Sequence, residues 1–149
     1  MDIKRITGNK KAYLDLLLLG DEQEDMIDRY LARGELFVLY DGALPVTVCV
    51  VTDEGGGEFE IKNLATRASH QNRGHAGRII EHVCSHCKAQ GGTAVTLGTG
   101  EEPGIVAFYE HRGFRYSHRI ENFFTDNYDA PIIENGVLLT DMVYFRRAL

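Results

Sequence analysis

QNRGHAG, residues 71–77, is the stretch on which the fold turns. It follows EFEIKNLAT (58–66), which alternates like a strand, and it precedes residues 74–90, whose apolar positions recur at helical spacing. A loop entering a helix presents backbone N–H groups that have no intrahelical acceptor, at the positive end of the helix dipole. Gly74 and Gly77 allow a ligand close approach because no Cβ stands in the way. Successive N–H groups in such a turn form an anion nest that suits a pyrophosphate. The other reading of the same residues is an ordinary glycine-bearing turn. Charge favours the anion: residues 61–90 hold Lys62, Arg67, Arg73, Arg78 and Lys88 against Glu81 alone, a local balance of +4 in a chain of net charge −6.

A second glycine-rich loop, GTGEEPG (98–104), also joins a strand to a helix. Its third glycine comes one residue late for the G-x-G-x-x-G dinucleotide pattern, and Glu101 and Glu102 would repel a phosphate. Neither loop carries the lysine-serine or lysine-threonine pair of a P-loop. This second loop therefore reads as a tight strand-to-helix connection. HVCSHC (82–87) sets His82 and His86 one turn apart, but Cys84 and Cys87 fall on the apolar stripe of the helix. A structural zinc site draws its ligands from turns and strand ends, so these residues read as core and surface, with no metal.

Outward from the loop, no repeat or linker divides the 149 residues, and they read as a single domain, 1–149. Two helical stretches come first, at 10–19 and 22–33. ELFVLY (35–40) and LPVTVCVV (44–51) form a hairpin about Asp41-Gly42. EFEIKNLAT follows, with Phe59, Ile61, Asn63 and Ala65 on one side of the strand and Glu58, Glu60, Lys62 and Leu64 on the other. Ile79, Ile80, Val83, Cys84 and Cys87 stripe the next helix, and TAVTLG (93–98) reads as a strand buried on both faces. Pro103 opens a helix that Gly113 closes. FRYSHRIENFF (114–124) and GVLLTDMVYFRRAL (136–149) read as the last two strands. The order is ααβββαβαββ, an α/β fold with a mixed sheet. The negative net charge argues against nucleic acid. The apolar run near Leu14–Leu19 is too short to span a membrane. Three cysteines, an odd number, and no signal-like N-terminal core point to the cytoplasm.

The motifs resemble those of the GNAT superfamily of N-acetyltransferases. Gln71-Asn72-Arg73-Gly74-His75-Ala76 matches its Gln/Arg-x-x-Gly-x-Gly/Ala loop, NLAT (63–66) matches the end of its fourth strand, and AFYEHRGF (107–114) matches its tyrosine followed four residues later by Gly-Phe. The resemblance implies a central sheet splayed near that fourth strand, with acetyl-CoA as co-substrate. Leu64, Ala65 and Thr66 would pair with its pantetheine arm, and the N–H groups of Gln71, Asn72, Arg73, Gly74, His75, Ala76 and Gly77 would hold its pyrophosphate. Its 3′-phosphate would sit near exposed basic residues such as Arg78. An asparagine that many members carry after the fifth strand is missing; Thr99 is the substitute available in GTGEEPG.

Two proton transfers are implied. An amine with a pKa near 10 must lose a proton before it attacks, and the departing thiolate must gain one. By resemblance, Glu60 is the base, with Glu58 in reserve, and Tyr109 is the acid. The expected reaction moves the acetyl group to a primary amine by direct attack in a ternary complex. A non-catalytic acyl-CoA sensor on the same fold is the alternative. The parts that shape the acceptor pocket in this family are acidic and aromatic here: DEQEDMID (21–28), and residues 121–135 with Glu121, Phe123, Phe124, Asp126, Tyr128, Asp129 and Glu134. They favour a small cationic acceptor: a polyamine, an amino sugar or a lysine-like compound. Pairing of the final strands between two copies would give a homodimer.

Overall fold

The computed structural model describes all 149 residues, Met1–Leu149. Its strands and helices run, in chain order, β1 (Asp2–Ile6), α1 (Leu14–Gly20), α2 (Glu24–Asp28), β2 (Glu35–Asp41), β3 (Leu44–Gly55), β4 (Glu58–Thr66), α3 (His75–Ala89), β5 (Ala94–Gly100), α4 (Pro103–His111), β6 (Arg115–Ile120), α5 (Phe123–Asn127), β7 (Ile133–Glu134), β8 (Val137–Leu138) and β9 (Met142–Ala148). Seven strands form one sheet in the order β1-β2-β3-β4-β5-β9-β6, and β7-β8 is a separate small hairpin. The sheet is mixed: β4 and β5 run parallel and the other pairs antiparallel.

The mixed sheet with flanking helices is the fold read from the sequence, with additions at both ends. The strand β1 precedes the first helix, which makes EFEIKNLAT the fourth strand in the chain. Its mostly exposed residues, Lys4 and Arg5 among them, give it no strand-like alternation, and its pairing with β2 holds it. The second helix covers only Glu24–Asp28; the chain beyond it turns, and Lys10 Nζ donates to the carbonyls of Leu31 and Gly34 at its end. FRYSHRIENFF is strand only as far as Ile120 and then turns into α5, while GVLLTDMVYFRRAL is divided between β8 and β9.

Two cores sandwich the sheet. One side packs α3 (Ile79, Ile80, Val83, Cys84, Cys87) on Phe37, Cys49, Phe59, Ile61, Leu97 and Phe145. The other packs α1 and α2 (Leu16, Leu17, Ile27) on Leu36, Val38, Val48, Val50 and Ala65. The strict alternation expected of β4 breaks between these cores. Val51 pairs with Ile61 but Val50 pairs with Asn63, so Lys62 is an extra residue, a β-bulge. Phe59 and Ile61 therefore face α3, while Ala65 belongs to the α1 core and Asn63 bonds to the Leu17 carbonyl of α1. One inserted residue exchanges the two faces of everything after it. No helix is long and apolar enough to cross a membrane.

Candidate active site

The bulge sits where two strands part. Parallel pairing of β4 with β5 runs from Glu58↔Ala94 to Ile61↔Leu97 and stops there. Beyond it β5 stays on β9 (Gly98↔Tyr144 to Gly100↔Met142) and β4 stays on β3 (Leu64↔Cys49 to Thr66↔Thr47). The edges facing one another across the gap, Lys62–Leu64 and Gly98–Gly100, line a cavity of about 420 Å³.

At the far end of β4 lies the glycine loop. Asn72 and Gly74 are left-handed, with φ of 61° and 82°; Gly74 is the N-cap of α3, and no side chain caps this helix. The N–H groups of residues 72–77 find no acceptor in the protein. They are the orphan donors of a helix start. Gln71 does something else: its Nε2 donates to the Thr66 carbonyl at 3.1 Å, which closes the loop. Gly77 is buried, and a Cβ there would lie 2.3 Å from Arg112 Cζ, so its missing side chain makes room for that guanidinium. Arg112 also stacks on the Phe108 ring at 4.7 Å and so brings a cation to the first turn of α3. Sequence reasoning missed it; its only signal is its place in YEHRGF. Arg73 makes no ion pair, while Arg78 donates to the Met1 carbonyl at 2.6 Å. His75 keeps Nε2 buried without a partner.

Tyr109, on α4, lines the cavity and packs against Phe108 and Phe114, with ring centroids 5.2 and 5.9 Å away. Its hydroxyl makes no hydrogen bond within the protein. Burial, and then the nearby Cys49 thiol, push its pKa above the ordinary value of 10.0, so the phenol keeps its proton. Leu64 and Tyr109 line one cavity, but Glu60 is outside its wall: its carboxylate pairs at 2.8 Å with Lys62, which is in the wall. Glu58 is paired with Arg146. Thr99 is in the wall. Ala65 and Thr66 lie beyond it, on the strand end that leads to the loop.

The rest of the wall comes from remote segments, several of them acidic. Asp21 and Glu22 stand at the end of α1, Glu102 at the start of α4, and Glu134 in the small hairpin. Asp21 accepts from Tyr30 Oη at 2.9 Å and Tyr128 Oη at 2.5 Å, and Asn63 Nδ2 extends the chain to Tyr30 Oη at 3.1 Å. Burial raises the Asp21 pKa against the lowering effect of these hydroxyls. Glu102 accepts from the N–H groups of Gly104 and Ile105 at 3.0 and 2.9 Å, the N-cap of α4, and those bonds hold its pKa down. GTGEEPG is thus a capped turn whose second glutamate faces the cavity, while Glu101 pairs with Arg119 at 2.8 Å. His86 bonds Glu35, the free cysteines are buried, and no group of three or more His, Cys, Asp or Glu is placed to hold a metal.

With that geometry established, similarity to known proteins is informative. Residues 32–116 match the model of the acetyltransferase (GNAT) domain. The chain is 33% identical over 130 residues to the uncharacterized N-acetyltransferase YvbK of Bacillus subtilis, covering 87% of this chain and 84% of that one. Among solved structures, it is similar to a GNAT family acetyltransferase from Elizabethkingia anophelis with acetyl-CoA bound (TM-score 0.93, 34% identity, 99% and 97% of the two chains). It is also similar to a Bacillus subtilis acetyltransferase in complex with CoA (TM-score 0.90, 30% identity, 99% and 97%).

Proposed function

The chain belongs to the GNAT acetyltransferase family and is an acyltransferase, and from that premise we propose that it moves the acetyl group of acetyl-CoA to a primary amine of a small cationic acceptor, by direct attack within a ternary complex. The single observation carrying this reading is the conjunction of the β4–β5 gap with the unclaimed N–H groups of residues 72–77 at the end of the same strand. A pyrophosphate on those groups would meet the positive end of α3, with Arg73 and Arg112 nearby, and the arm attached to it would run along Leu64, Ala65 and Thr66 into the gap. The loop donors suit a diphosphate whatever their side chains are, because they are backbone groups.

When bound, acetyl-CoA supplies the thioester that the amine attacks; the new C–N bond forms as the C–S bond breaks. A backbone N–H at the open edge of β4 polarises the carbonyl. Tyr109 lines the gap with its hydroxyl unspent and its proton retained, and donates that proton to the departing sulfur. The ammonium first loses a proton to a carboxylate acting as base, for which two residues are candidates. Glu60 occupies the family-matched position and works through Lys62 or a water, because Lys62 stands between it and the cavity. Asp21 is in the wall itself and takes the proton through the Tyr128 hydroxyl: Tyr128 Oη receives a proton from the amine as it passes its own to the carboxylate. The buried free cysteines fit a reducing cytoplasm, and the exposed outer strand β6 is the edge through which two copies would pair.

The test is thiol release from acetyl-CoA across a panel of amines, with Tyr109→Phe as control. Release that needs the amine and falls in the variant supports the enzyme. Tight CoA binding with no release for any amine would establish the sensor instead.

A further inference from the structure

The cavity has a charge problem that the fold leaves unsolved. Asp21, Glu22, Glu102 and Glu134 reach one wall from segments as far apart as α1 and the β7-β8 hairpin, and none of them pairs with a lysine or arginine. Several acids outside the wall are neutralised: Glu101 takes Arg119, Glu58 takes Arg146, Glu81 takes Arg147 and Glu54 takes Arg33; the four in the wall differ from the other unpaired acids in being gathered around one cavity. Asp21 and Glu102 at least have hydrogen-bond donors. Glu22 and Glu134 have none, and Glu134 is half-buried; burial raises its pKa, and the nearby Glu22 and Glu102 raise it further. The one cation in the wall, Lys62, is spent on Glu60.

A second, uncharged group in the same wall makes the same demand. Asn63 is 3% exposed and both hydrogens of its Nδ2 are used, on the Leu17 carbonyl at 2.9 Å and on Tyr30 Oη at 3.1 Å. Its Oδ1 is buried and accepts nothing. A buried amide oxygen without a donor is a costly group to leave in a native fold. Carboxylates without cations ask for positive charge, an amide oxygen without a donor asks for an N–H group, and an ammonium supplies both.

We propose that the acceptor is a linear diamine or polyamine that bears at least two ammonium groups and no carboxylate. This deepens the acetyl-transfer reading and rests on it. One amine lies at the β4–β5 gap beside Asn63 and Tyr109, where it is acetylated, and the second lies among Glu22, Glu102 and Glu134. An amino acid is disfavoured because its carboxylate would enter a wall of like charge with no free cation to meet it. Lysine-like compounds are thereby set apart from polyamines, although both carry two amino groups.

The experiment compares 1,4-diaminobutane, 1,5-diaminopentane and spermidine with n-butylamine and lysine as acceptors for the full chain. The diamines are expected to exceed n-butylamine and lysine in kcat/KM by on the order of tenfold or more. In Glu22→Gln/Glu134→Gln that preference falls to within about threefold, chiefly through the diamine KM. Calorimetric titration of 1,5-diaminopentane into the protein without acetyl-CoA is run alongside, because it does not depend on turnover. Lysine or n-butylamine used as well as the diamines, or a preference that survives in the double variant, overturns the proposal. If no amine releases thiol but 1,5-diaminopentane binds and the double variant abolishes binding, the diamine site stands and acetyl transfer falls. If there is neither release nor binding, the diamine site falls.

Discussion

Replacing Tyr109 by Phe separates chemistry from folding because of how the phenol is held. The ring is packed against Phe108 and Phe114, and phenylalanine keeps that packing. The hydroxyl makes no hydrogen bond inside the protein, so its removal orphans no buried partner. The stability change should therefore stay within about 0.5 kcal/mol, as for a substitution that touches no cavity, cap or network. The rate should behave differently. A positioned general acid contributes about 10²–10⁴-fold, or about 3–5 kcal/mol of barrier. Removing it forces the leaving thiolate to take its proton from water. In the proposed binding mode the diphosphate sits on backbone groups at the other end of the gap, so the KM for acetyl-CoA should not move. The assay is initial-rate thiol release at saturating amine, with thermal unfolding of both proteins in parallel. A Tyr109→Phe enzyme that keeps kcat within about threefold of the parent, with matching thermal stability, would refute the assignment of this tyrosine as the acid.

Other outcomes follow from the same geometry. Asp21→Asn and Glu60→Gln compete for the base: the variant that loses the acidic limb of the kcat/KM profile, with kcat down about 10²-fold or more, carries the proton, and an unchanged profile in both would leave water alone in that role. Gly77→Ala should destabilise the protein by about 1–3 kcal/mol, because its Cβ would press on the Arg112 guanidinium. On an Arg112→Ala background the same change should stabilise by up to about 1 kcal/mol through helix propensity; denaturant midpoints giving one sign on both backgrounds would contradict the packing. Burial raises the pKa values of Tyr30, Tyr109, Tyr128 and Tyr144 above 10.0, the last to about 12. Each phenol ionises first in the unfolded chain, so its contribution is fully present below about pH 10 and is lost as pH rises beyond it. Unfolding midpoints should fall as pH rises from about 10 to about 12, and a flat profile across that window would contradict those shifts.

The sequence by itself determined the glycine loop and the helices on either side of the cavity. Orphan N–H groups after Gly74, the apolar stripe of α3 and the tyrosine ahead of Gly113-Phe114 are short-range features, settled by residues within a turn or two of one another, and so they were legible in one chain read along its length. The far wall of the cavity was not. The bulge at Lys62 leaves no signature in EFEIKNLAT, where plain alternation puts Asn63 and Ala65 on the face of Phe59 and Ile61. Pairing with β3 instead turned Asn63 toward α1 and Tyr30 and left Glu60 behind Lys62. The bond from Tyr128 to Asp21 joins residues 107 positions apart, and the acidic wall takes its members from both ends of the chain. Such groups meet only when the strands and helices have packed, because each segment supplies one charge and the cavity is the sum. The acidity of DEQEDMID and of residues 121–135 was visible as composition; which of those acids line the cavity (Asp21, Glu22 and Glu134), and which are spent on a lysine (Glu24 and Asp28, on Lys11), was a decision of the tertiary structure.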